Sequence, residues 1–138
     1  MKFIYGILIG VLLFGCTPSP SDQIEHISGY WEIEEVILED GTKRAYTYNP
    51  TIDYIEINDS LFGFRKKLSP KFDGTFITSK DQEILNLRIS NDSLYLDYTT
   101  KFDSWTEVVL QLDKTKLVTK NPDKVTYLYK RYTPIEID

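Results

Sequence analysis

From Ile27 onward, apolar residues recur every second position in short runs, and no stretch sustains the three-and-four spacing of an amphipathic helix. The runs are rich in Ile, Val, Tyr, Phe and Thr, side chains that fit a pleated surface. Strands are expected at 28–38, 52–58, 61–68, 72–79, 84–90, 93–101, 104–112, 115–120 and 124–132. Between them stand turn formers: Asp40-Gly41, Asn58-Asp59, Ser69-Pro70, Asn91-Asp92, Asp113-Lys114 and Asn121-Pro122-Asp123. Asn91-Asp92 and Asp113-Lys114 read as tight hairpins, because Asn and Asp tolerate positive φ. Eight or nine short strands with short connections make an antiparallel meander, the pattern of an all-β barrel or sandwich. One domain accommodates the whole pattern.

Parity along the runs assigns faces. Leu85, Leu87 and Ile89 alternate with Asn86 and Arg88; Leu94, Leu96 and Tyr98 alternate with Tyr95 and Asp97. Thr106, Val108, Leu110 and Leu112 form one row of the 104–112 run, opposite Trp105, Glu107, Val109 and Gln111. In the first run Trp31 and Ile33 share a parity that Val36 and Leu38 do not. One extra residue at Glu34-Glu35 reconciles them, so a β-bulge is expected there.

The N-terminus carries an address. Met1-Lys2 precedes an apolar run, Phe3 to Gly15, whose 13 residues would rise about 20 Å as a helix, short of a hydrocarbon core of roughly 30 Å. It reads as a secretory signal, residues 1–15, rather than a spanning helix. Leu13-Phe14-Gly15-Cys16 resembles the lipobox of bacterial lipoproteins, which implies that Cys16 becomes an acylated N-terminus bearing palmitate-type chains. The resemblance, with no Asp at position 17, implies the bacterial outer membrane. Residues 16–26, with Pro18, Ser19, Pro20 and Ser21, are expected to be a lipidated tether. Losing Lys2 leaves 15 basic side chains against 21 acidic ones, a charge of about −6. That sign argues against nucleic acid as a partner. The single cysteine excludes an intramolecular disulfide.

The domain opens Ile27-Ser28-Gly29-Tyr30-Trp31 and closes Tyr127-Leu128-Tyr129-Lys130-Arg131. On these residues the chain resembles the bacterial lipocalin-like lipoproteins, whose first strand begins Gly-x-Trp and whose last strand carries a basic residue. The resemblance implies an eight- to nine-stranded antiparallel barrel over 27–133, closed or partly open, with 134–138 as a tail. It implies that Gly29, Trp31 and Arg131 form the barrel-closing motif, the guanidinium lying across the indole. Such a cation–π contact contributes roughly 0.5–2 kcal/mol.

Catalytic, metal and cofactor sites are not expected. His26 is the one histidine, reads as an exposed linker residue, and lacks nearby metal-ligand partners. Glu32, Glu34, Glu35, Glu39 and Asp40 read as a solvated face, and Asp53 and Glu56 fall on opposite parities of their run. Arg65-Lys66-Lys67 reads as a solubilising edge. Sixteen aromatic residues follow the leader, enough either to fill a small barrel or to wall a ligand-accepting mouth. Phe62, Phe64, Tyr98, Tyr127 and Tyr129 are the candidate ligand-lining residues. The expected function is non-catalytic binding of a small apolar or amphiphilic molecule by a membrane-anchored protein. The alternatives are an inhibitor or immunity lipoprotein that binds a protein of the cell envelope, and a structural accessory of an envelope assembly.

Overall fold

A computed structural model describes residues 18–134 together with Gly15. The acylation candidate Cys16 and the signal run 1–14 lie outside the described residues, as do Thr17 and 135–138. A short helix, α1 (Pro20–Ile24), is followed by nine strands: β1 (Gly29–Ile37), β2 (Lys43–Ala45), β3 (Ile52–Ile57), β4 (Phe62–Pro70), β5 (Phe76–Ser90), β6 (Ser93–Thr99), β7 (Ser104–Leu112), β8 (Lys116–Lys120) and β9 (Thr126–Arg131). Each strand from β3 to β9 pairs antiparallel with the next, and β1 pairs with β3 on one edge and β9 on the other. The fold is therefore a closed eight-stranded antiparallel barrel with one extra strand, β2, paired to the far half of β1.

The bulge in β1 falls between Ile33 and Glu35 in the ladder with β9. It returns Val36 to the buried side after Trp31. A second bulge, between Val109 and Gln111, corrects the row assigned to β7. Glu107, Val109 and Leu112 are the buried positions, and Leu110 is exposed. The runs 72–79 and 84–90 are parts of one strand, β5; Ser79-Lys80-Asp81 does not break it, because β4 pairs along most of that length. Phe72 falls in the β4–β5 turn, 93% exposed. At Asn91-Asp92 both φ angles are positive, 49° and 63°, and the turn joins Ser90 to Ser93. Asp113-Lys114 is not a two-residue turn: the carboxylate of Asp113 accepts from Thr115 N and Lys116 N and shapes a longer one.

Residues 20–27 are more ordered than a free tether. Ser19 caps α1 and Pro20 occupies its first turn, where a missing N–H does no harm. Ile24 and the fully buried Ile27 then pack on the core cluster, which fills the barrel around Trp31, Leu85, Leu94, Leu96 and Leu112. This end, with the β3–β4, β5–β6 and β7–β8 turns, is the base. The other end collects the connections at 38–51, 71–75, 100–103 and 121–125, and it is the mouth.

Candidate functional site

The base is closed by one side chain. Arg131 is the ladder partner of Trp31, and its guanidinium carbon lies 3.7 Å from the indole ring centroid. It donates from Nε to Lys114 O (3.0 Å), from Nη1 to Ser28 O (3.0 Å) and from Nη2 to His26 O (2.7 Å). Partial burial lowers its pKa somewhat, and Asp113 acts in the opposite direction. The Trp31 indole N–H donates to Ile27 O at 2.9 Å. Gly29 makes this approach possible: its φ is +128°, and a Cβ there would sit 2.6 Å from Arg131 Nη1. His26 is thus half-buried rather than a free linker residue, with its carbonyl held by Arg131 and its ring 3.3 Å from Glu25.

Toward the mouth the interior turns polar. Lys67 of β4 keeps an exposed side chain, but Arg65 is not part of a solvated edge: it pairs with Glu83 at 2.5 Å and donates to the Tyr98 hydroxyl at 3.2 Å. Its guanidinium carbon also lies 4.2 Å from the Tyr98 ring centroid. Burial alone would lower the Arg65 pKa, but Tyr98, Tyr129, Glu83 and Asp53 override it and hold the charge firmly. Burial pushes the Tyr98 hydroxyl well up, so it stays protonated. Lys67 Nζ approaches the buried Asp53 Oδ1 to 2.5 Å, as an ion pair rather than an aligned hydrogen bond. Glu107 is only 5% exposed. One of its carboxylate oxygens accepts from Trp105 Nε1 (2.8 Å), the other from Thr119 Oγ1 (2.9 Å).

Above this layer the mouth opens as three clefts of about 620, 480 and 520 Å³, all bordered by Lys67. The first lies over Arg65 and Glu83, toward Phe102. The second runs between Trp105, Glu107, Tyr127 and Tyr129; the third continues from those tyrosines to Ile33, Val36 and Tyr48. Charged and aromatic groups thus converge on an open concavity above a packed base, the usual form of a binding site.

Of the candidate lining residues, Tyr127 and Tyr129 border the clefts, their rings 6.5 Å apart. Burial is the main cause that raises both hydroxyl pKa values. Tyr98 lies one layer lower, buried beneath Arg65 and stacked on Trp105 at 5.1 Å. Phe62 and Phe64 are corrected: they lie on the outside. Gly63 between them is the ladder partner of the buried Leu85, so the phenylalanines take the opposite face. Phe62 is 48% exposed, and Phe64 joins an outer aromatic band with Tyr54, Tyr30, Phe76 and Tyr132. Sequence reasoning missed Arg65, Lys67, Glu107 and Trp105. The parity of Arg65 with Leu61, and of Glu107 with Trp105 and Val109, was the available signal. Among the described residues, no group of three or more His, Cys, Asp or Glu is placed to hold a metal ion, and no helix is long and apolar enough to cross a membrane.

The family model for a lipocalin-like domain matches residues 27–119, more than half of the chain. This protein belongs to the lipocalin-like domain family. The matched range runs from the segment before β1 through most of β8, so β9, with Tyr127, Tyr129 and Arg131, follows it. A crystal structure of a lipocalin-like protein from Bacteroides uniformis is similar to this lipocalin-like domain with a TM-score of 0.49 and 11% identity, over 78% of this chain and 99% of that one. No curated protein matches it. The lipocalin-like barrel supports a binding role in general.

Proposed function

We propose that this lipocalin-like protein binds a small amphiphilic molecule at the barrel mouth, without catalysis, while Cys16 anchors it by lipid to the bacterial outer membrane. The observation that carries the reading is the division of the interior. Below Tyr98 the barrel is filled by the packed cluster around Trp31, Leu85, Leu94, Leu96 and Leu112. Above it, clefts of about 480 and 520 Å³ meet at Tyr127 and Tyr129, combining aromatic walls with ion-paired polar groups. A molecule with an apolar body and a polar head matches both kinds of wall. The chain enters the barrel at the base through α1, so an anchor at Cys16 ties the base to the membrane and leaves the mouth facing away from it. Two experiments test the reading. Titration with dodecyl maltoside below its micelle concentration gives a saturable change in Trp105 fluorescence, which Tyr127→Ala weakens; no saturable response from this or any other single-chain amphiphile refutes it. Labelled palmitate is incorporated by the wild type and lost on Cys16→Ala; incorporation by that variant refutes the anchor.

A second reading, protein binding in the cell envelope, is favoured by two outer features. One is the aromatic band from Tyr30 to Phe64, flanked by the exposed Phe62, Ile77 and Ile84. The other is the 76–83 part of β5, which pairs with β4 at 76–78 and 82–83 and has no ladder partner on its β6 side among the described residues. An unpaired strand edge accepts a strand from another chain.

A further inference from the structure

We propose that the cleft between β7, β9 and the β8–β9 turn recognises an organic cation, so that the molecule held at the mouth carries an amine or quaternary ammonium head on an apolar body. The proposal rests on the mouth being an amphiphile site and names the chemistry of the head. Its anchor is Glu107. This carboxylate is nearly fully buried, yet its two partners, Trp105 and Thr119, are neutral donors. Among the described residues no Lys, Arg or His nitrogen comes within 4.0 Å of it.

Both cations that border the cleft are already engaged, Arg65 by Glu83 and Lys67 by Asp53. Asp103 and Asp123 add two more carboxylates at its rim. Two positive side chains therefore face five carboxylates across the cleft and its ion pairs, a formal balance of −3. A buried carboxylate without a counter-charge is costly, and a bound cation supplies that charge. The two hydrogen bonds fix the carboxylate and use about half of its lone-pair directions, leaving the others for a ligand. Trp105, Tyr127 and Tyr129 line the same cleft, and indole and phenol faces attract ammonium groups. Held carboxylate, aromatic walls and unbalanced negative charge thus occur in one open space of about 480 Å³.

The test compares three dodecyl amphiphiles on the purified protein, each below its micelle concentration: the trimethylammonium, the sulfate and the maltoside. Binding is followed by Trp105 fluorescence and calorimetry, on the wild type and on Glu107→Gln, whose amide keeps the shape and removes the charge. The expected result is that the ammonium binds about tenfold tighter than the maltoside or more, and that Glu107→Gln removes this preference, read as the ratio of the two affinities within the same variant. Equal binding of all three heads, preference for the sulfate, or a preference that survives Glu107→Gln overturns the cation assignment and leaves the amphiphile site standing. Binding of none removes both. The head preference of the wild type needs no variant, so the inference is testable even where Glu107→Gln does not fold.

Discussion

Arg131→Ala tests how the barrel is closed. The arginine ties three chain segments to β9: Trp31 on β1, the carbonyls of His26 and Ser28 ahead of it, and Lys114 in the β7–β8 turn. The cation–π contact contributes about 0.5–2 kcal/mol. Hydrogen bonds from a charged donor contribute about 1.5–3 kcal/mol each at buried sites, but these carbonyls stand near the surface and re-solvate once the side chain is removed. Counting each at well under 1 kcal/mol gives a loss of about 2–4 kcal/mol for Arg131→Ala. For a domain near 100 residues that is on the order of 10–20 °C in Tm. Arg131→Lys recovers less than half of it, because one ammonium does not span three carbonyls while lying flat on an indole. Urea unfolding followed by Trp31 fluorescence reads both variants. A destabilisation by Arg131→Ala of less than about 0.5 kcal/mol, within the range of ordinary surface substitutions, would falsify the account of the base.

Gly29→Ala is expected to cost about 1–3 kcal/mol, from its positive φ and from the collision with Arg131. In an Arg131→Ala background only the backbone part remains, so a double-mutant cycle by urea unfolding gives a clear coupling; additive costs contradict the contact. Asp113 is held down at about 2, chiefly by the backbone N–H of Thr115 and then by Gln111, against an ordinary 3.8. A carboxyl depressed on folding stabilises fully above pH 3.8, and the contribution is lost as pH falls through about 2. Asp113→Asn therefore flattens stability against pH in that window, as acid titrations at fixed urea will read; an unchanged slope counts against the turn assignment.

The antiparallel meander was legible because strand period and turn chemistry agree over most of the chain; the barrel came only with the resemblance, and its closure by the β1–β9 ladder was not legible. The β1 bulge was legible for a particular reason: Trp31 and Val36 are apolar on opposite parities, with charged residues between them. The β7 bulge was not, because Val108, Val109 and Leu110 are all apolar and any of them can be read as inward. The mouth was the least legible part. Arg65-Lys66-Lys67 looks like a solvated edge until Glu83 and Asp53, 18 and 14 positions away, are seen to meet its first and last members. Phe62 and Phe64 look inward until Gly63 is seen facing Leu85. In both cases pairing between strands decides the face, and alternation within one strand does not reveal that pairing.

The central claim, that the mouth is where this protein binds, is tested most directly by nitrogen-15 chemical-shift mapping during titration with dodecyl maltoside. The account predicts saturable shifts at the Trp105 indole N–H and at the amides of Glu107, Tyr127 and Tyr129, while the Trp31 indole, sealed under Arg131, stays in place. Shifts gathered on Tyr30, Tyr54 and Phe64 would contradict it and move the binding surface to the outside of the barrel.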